Sequence, residues 1–182
     1  MSTALWILFA QGVLGASDTL YYHELRARLP ALGRRVRGEL FLHAARDFIY
    51  AIVFGSLPWV AFRGAFTAAL LVLLAAEIVI TLADFVVEDT VRKPLGGVYP
   101  GERVMHALMG IVYGAFLANL APILLTWWAQ PTGLDAAPAD VAPLLRWALT
   151  AMAGGVFLSG VRDLLAGLGV RHACFPYARA ET

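Results

Sequence analysis

The stretches GELFLHAARDFIYA (residues 38–51) and GERVMHALMGIVYG (residues 101–114) are two copies of one pattern. Each has Gly, then Glu, then His four residues on with Ala behind it, then Tyr seven residues past the His. The first copy is Gly38, Glu39, His43, Ala44, Tyr50; the second is Gly101, Glu102, His106, Ala107, Tyr113. On a helix, positions i and i+4 share a face, so Glu39 stands with His43 and Glu102 with His106. Asp18, His23 and Glu24 precede the first copy, and Asp84, Glu88 and Asp89 precede the second. Each of these clusters closes an apolar segment. Ionisable groups are costly beside lipid, so their matched placement points to a use. The duplication points to two half-sites facing each other.

Composition sets the surroundings. The chain has 182 residues, 60% hydrophobic and 15% charged, with a mean hydropathy of +0.71. A soluble domain is about 45–50% apolar and about 25% charged, so this reads as an integral membrane protein. A net charge of +1, with the basic residues in loops and not along one stripe, gives no case for nucleic acid. The single cysteine, Cys174, excludes an internal disulfide and a thiolate metal site.

Five apolar spans have the roughly 20 residues a bilayer requires: 3–22, 39–62, 65–88, 103–128 and 142–168. The first lacks a basic leader and ends in Asp18 and the run Tyr21, Tyr22, His23, Glu24, so it reads as a retained helix. Arg26, Arg28, Arg34, Arg35, Arg37, Arg92, Lys93, Arg103, Arg162, Arg171 and Arg179 all fall on one side of this arrangement. The opposite loops hold Arg63, Asp135 and Asp140. The positive-inside rule then puts the N-terminus outside and the C-terminus in the cytoplasm of a bacterial-type inner membrane.

The expected fold is all-α and polytopic. A duplicated four-helix core spans residues 1–128, as hairpins 1–62 and 65–128 related by a two-fold along the membrane normal. An outer loop covers 129–141, and residues 142–182 form a fifth helix and a cytoplasmic tail. The fifth helix, with no histidine and no deep acid, packs outside that core. Its small residues Ala151, Gly154, Gly155 and Gly160 suit it to bracing the bundle or to a homodimer contact.

This topology brings four ionisable clusters to one membrane depth, and nine of the 13 acidic residues lie between 18 and 102. The expected metal ligands are Asp18, His23, Glu24, Glu39, His43, Asp84, Glu88, Asp89, Glu102 and His106. Carboxylate and imidazole from facing helices are the ligand types of di-iron and di-manganese bundles, although the spacing there is Glu-x-x-His and here Glu-x-x-x-His. A donor set without thiolate suits iron first, then manganese or zinc, and the surplus of carboxylates favours two divalent ions. Tyr50, Tyr113 and Asp47 are candidates for proton handling. At the loop ends, Glu24, Asp89 and Glu102 also fit ordinary interfacial roles, as do Tyr21, Tyr22 and Tyr99. Arg46 with Asp47 also fits a simple neighbouring charge pair. Arg92, Lys93 and Arg103 read as a solvated loop that could hold an anionic headgroup.

The expected activity is a membrane metalloenzyme, an oxidoreductase acting on a lipophilic substrate, with membrane lipid around it and a soluble electron donor. A metal-dependent lipid hydrolase is a variant of the same reading. A divalent-cation transporter or sensor and a bis-histidine haem carrier are the alternatives.

The topology is checked by labelling, in a Cys174→Ser background, with a thiol reagent that cannot cross the membrane. Gly97→Cys should react only in inverted vesicles and Gly133→Cys only in intact spheroplasts; the reverse pattern would overturn the orientation.

Overall fold

A computed structural model describes residues 1–136, 141–170 and 173 of the chain. Helix α1 (Ser2–Asp18) runs on as a π-helix over Thr19–Arg26. A short helix α2 (Leu29–Leu32) and a 3₁₀ turn (Gly33–Val36) lead into α3 (Arg37–Ser56). Then come β1 (Val60–Arg63), α4 (Ala65–Arg92), α5 (Pro100–Trp128), β2 (Gly133–Ala136) and α6 (Pro143–Leu168). Three stretches are long and apolar enough to cross a membrane: Ala65–Leu95, Pro100–Trp128 and Pro143–Leu168. The other two long helices differ from these, α1 being 17 residues in its α-helical part and α3 carrying Glu39, Arg46 and Asp47 among its apolar residues.

The second span is shorter than its sequence suggests. Helix α3 stops at Ser56, and Pro58 lies just beyond, where its fixed ring and missing N–H oppose further helix. The chain then forms β1, which pairs antiparallel with β2, Val60 opposite Ala136 and Arg63 opposite Gly133. Arg63 and Asp135, which close this ribbon with an exposed ion pair of 2.7 Å, tie together two loops that an all-α reading leaves separate.

Packing closes the helices into a ring. Helix α3 lies between α4 and α6, α5 lies between α4 and α1, and α1 meets α6. Helix α6 therefore sits between α1 and α3 instead of outside the other four, which corrects the sequence expectation. Small residues set its approach to α3. A Cβ added at Gly160 would lie 2.9 Å from the Asp47 Cβ and 3.2 Å from the Ala44 carbonyl oxygen. By contrast, a Cβ at Gly154 or Gly155 would meet nothing within 4 Å.

The ring's interior divides along its axis. Away from the acidic clusters it is filled by Leu5, Leu8, Leu57, Phe116, Leu120, Leu145 and Leu149, all fully buried. All five tryptophans (Trp6, Trp59, Trp127, Trp128 and Trp147) belong to this far end. Trp59 donates to Thr150 Oγ1 at 2.9 Å and packs edge-on against Trp147. Tyr21, Tyr22 and Tyr99 lie at the opposite end. Aromatic residues at both ends of an apolar bundle have the distribution expected at two membrane interfaces.

The α3–α6 seam generates a prediction. Gly160→Leu overpacks it and should cost about 1–3 kcal/mol, lowering the melting temperature in detergent. Gly154→Leu should leave that temperature unchanged.

Candidate metal centre

The helix ends opposite the tryptophans bury a dense set of ionisable groups. Asp18, His23, Glu39, His43, Asp84, Glu88, Arg92, Glu102, His106 and Asp163 are each no more than 8% exposed, and Glu39 and Glu102 are fully enclosed. Three of the four histidines meet here; His172 lies outside the described residues, as do Cys174, Arg171, Arg179 and Asp140.

Local winding places each of them. Glu39 and His43 rise one above the other on α3, and Glu102 and His106 do so on α5. Asp18 and His23 are five apart, a spacing that an α-helix would turn to different faces. The π-helix over Thr19–Arg26 removes that mismatch, because its hydrogen bonds join residues five apart, as in Ala27 N–H to the Tyr22 carbonyl at 2.8 Å. His23 Nε2 thereby comes to 3.3 Å from Asp18 Oδ2. Pro100 opens α5 in the position that suits it, and Glu102 accepts from the Tyr99 backbone N–H at 3.4 Å through Oε2, which leaves Oε1 facing the cluster.

Two foci emerge. At the first, Asp18 Oδ2 is 3.3 Å from both His23 Nε2 and His106 Nε2, and His23 Nε2 is 3.2 Å from Glu102 Oε1. At the second, His43 Nε2 is 3.2 Å from Asp84 Oδ2 and 3.9 Å from Glu39 Oε1. The His23 and His43 rings stack between them at 4.6 Å and 7°. Two groups could each hold a metal ion, Asp18–His23–His106 and Glu88–Glu102–His106, with ligand atoms within 4.8 Å of one another.

Two of the remaining ring nitrogens also have carboxylates. His106 Nδ1 is 3.3 Å from Glu88 Oε1, and His43 Nδ1 is 3.7 Å from Asp163 Oδ2. Metal-binding imidazoles are commonly oriented in this way, one nitrogen held by a carboxylate and the other turned to the ion. The Nε2 atoms of His23, His43 and His106 face carboxylate oxygens at 3.2–3.3 Å, while among the described residues Asp18 Oδ1, Glu39 Oε2, Asp84 Oδ1 and Glu88 Oε2 are buried without a hydrogen-bond partner. Such unpaired atoms are costly inside a protein. The imidazole–carboxylate spacing suits a shared ion: with metal–ligand bonds of about 2.0–2.2 Å, neighbouring ligand atoms stand roughly 3 Å apart.

Two arginines complete the centre. Arg92 is buried and bonds both duplicated glutamates, Glu39 from Nε at 2.7 Å and from Nη2, and Glu102 from Nη1 at 2.7 Å. It belongs to the site and not to a solvated loop. Arg46 reaches across to Asp84 at 3.3 Å, so its partner is not simply the adjacent Asp47.

The structure does not gather every expected residue. Glu24 turns away and pairs with Arg162 of α6. Asp89 is exposed and pairs with Arg103 at 3.0 Å. Tyr50, Tyr113 and Asp47 line a cavity of about 560 Å³ that also touches Asp18 and His106. Tyr50 donates to Glu77 Oε1 at 3.0 Å, and Tyr113 to the Leu74 carbonyl at 3.2 Å. Asp163 is the residue that sequence reading missed. It corrects the expectation that the last helix has no deep acid, and its place three residues after Gly160, on the same face of α6, was the available signal.

Comparison with known protein families, curated proteins and solved structures returns no match.

Arg92 generates the prediction for this site. Arg92→Met leaves two buried carboxylates without their cation and should cost about 3–5 kcal/mol in metal-free protein. Added manganese or zinc should raise the melting temperature of the variant more than that of the wild type.

Proposed function

We propose that this protein is a membrane-embedded metalloenzyme with a pair of divalent ions at the clustered ends of α1, α3, α4 and α5. The observation that carries the reading is the convergence of three buried imidazole Nε2 atoms to 3.2–3.3 Å from the carboxylates of Asp18, Asp84 and Glu102. Charge supports it as well. The cluster holds the carboxylates of Asp18, Glu39, Asp84, Glu88, Glu102 and Asp163 against the guanidiniums of Arg46 and Arg92. With neutral imidazoles, two divalent ions would supply the four positive charges that are lacking. Burial without such compensation is strongly unfavourable.

Iron is the preferred metal for an oxidoreductase, with manganese or zinc accommodated by the same donors. Bound iron supplies redox chemistry, with electrons from a soluble donor at the cytoplasmic side. The chain's own residues do the rest. Glu88 and Asp163 orient imidazoles, Arg92 holds Glu39 and Glu102 in place, and Asp47, Tyr50 and Tyr113 are placed along the cavity to handle protons.

The cavity supports a lipophilic substrate. Phe54, Leu82, Phe85, Met109, Leu117 and Met152 line it. Exposed Ile78, Leu82, Gly110 and Gly114 form one rim between α4 and α5, and a Cβ at either glycine would meet nothing within 4 Å. An apolar molecule could enter there from the bilayer. Hydrolysis of a lipid at the same centre is a variant, with zinc as the Lewis acid.

The alternatives fit less well. A transporter needs a polar path across the membrane, whereas leucine and phenylalanine fill the far half of the ring. A haem between two axial histidines needs a flat slot, whereas His23 and His43 stack directly and His43 is ringed by Glu39, Asp84 and Asp163.

Purified protein should carry a pair of ions per chain by elemental mass spectrometry. Glu39→Ala and His106→Ala should lose them, while Asp89→Asn and Asp135→Ala should keep them. Full metal content in a folded Glu39/His43/His106 triple alanine variant would rule the centre out.

A further inference from the structure

A second polar layer lies two turns below the first on four helices. Asp18 is followed inward by Gln11 on α1, His43 by Tyr50 on α3, Asp84 by Glu77 on α4 and His106 by Tyr113 on α5. Each step is seven residues, about 10 Å of helix rise. Because seven residues are close to two whole turns, both layers share one face of each helix. Gln11, Tyr50, Glu77 and Tyr113 are all buried.

The layer is hydrogen-bonded and built around acceptors. Gln11 Nε2 donates to Tyr50 Oη at 3.2 Å, Tyr50 Oη donates to Glu77 Oε1 at 3.0 Å, and Thr81 Oγ1 donates to the same oxygen at 2.9 Å. Tyr113 Oη is committed to the Leu74 carbonyl. Gln11 Oε1 is left over, buried and without a partner. An amide oxygen in that state is satisfied only by a donor from outside the layer. Gln11, Tyr50, Glu77, Thr81 and Tyr113 all line the cavity that reaches Asp18 and His106; between the layers the wall is Ala16, Leu82, Phe85 and Met109 on one side and Arg46 with Asp47 on the other.

We propose that this layer binds a hydroxyl group at the far end of the substrate, with Gln11 Oε1 as its acceptor. The substrate is then an amphiphile: an apolar chain carrying an alcohol about 10 Å from the position presented to the metal centre. A neutral donor fits better than an ammonium, because the open atom is an amide oxygen and Glu77 Oε1 already accepts two hydrogen bonds. Sites built around a buried hydrogen-bonding group reject analogues that lack its partner, so the layer sets specificity where the apolar wall cannot.

The proposal rests on the metal-centre reading for which end of the chain reacts, but its test does not. Decanol, decane and decylamine are titrated into the full-length protein in nanodiscs, with binding read by native mass spectrometry and metal content measured on the same samples. Wild type should prefer decanol over decane by about tenfold. Gln11→Leu should abolish that preference, Glu77→Gln should weaken it, and neither should change metal content. Equal binding of decanol and decane by wild type, tighter binding of decylamine than decanol, or an undiminished preference in folded Gln11→Leu would overturn it. Protein that holds no metal yet keeps the preference would instead defeat the metal centre and leave the alcohol site standing.

Discussion

Buried negative charge is the constraint on which the rest of this structure depends. Six carboxylates crowd into one end of an apolar bundle, and among the described residues the guanidiniums of Arg46 and Arg92 pair with them. Arg92 shows how far the protein goes to manage that charge. It comes from the end of α4 and clamps Glu39 and Glu102, the paired acids of the duplicated motif. The histidines take up further carboxylate oxygens, while Asp18 Oδ1, Glu39 Oε2, Asp84 Oδ1 and Glu88 Oε2 remain without hydrogen bonds among the described residues. On the proposed reading, divalent ions add positive charge to that centre in the most compact form.

The ring of helices follows from the same requirement. Helix α6 sits between α1 and α3 and contributes Met152, Gly155, Val156 and Ser159 to the wall of the cavity that runs down from Asp18 and His106. Gly160 and Gly167 let α6 approach α3 closely, and Asp163 between them turns toward His43. The far end needs no such space and is packed with leucine and aromatic side chains, which makes it a seal. One bundle thus carries a polar centre, an apolar chamber and a closed end along a single axis.

Much of the site was legible in the sequence because helix geometry is regular. The i, i+4 spacing of Glu39 with His43 and Glu102 with His106 needs no structure to interpret, and loop charge pointed Asp18, Asp84 and Glu88 to the same depth. Other features were hidden for physical reasons. His23 reaches Asp18 only because the chain winds as a π-helix there, which no residue spacing announces. Arg92 sits in a basic loop stretch, where a cation is ordinarily solvated, and only tertiary packing buries it. A lone Asp163 near the end of a span looks interfacial until α6 is placed against α3. Glu24 and Asp89 looked equivalent to their neighbours in sequence, yet Arg162 and Arg103 hold them outside the centre. The ribbon of β1 and β2 was invisible for another reason: a four-residue strand gains its stability from a partner more than 70 residues away.

The most direct measurement is anomalous diffraction from crystals of protein loaded with iron or manganese, with data collected on both sides of the metal edge. A pair of anomalous peaks among Asp18, His23, Glu39, His43, Asp84, Glu102 and His106, with Arg92 displaced from at least one glutamate, is the result this account predicts. A folded, metal-soaked protein with no peak in that cluster, and with Arg92 still bridging Glu39 and Glu102, would contradict it.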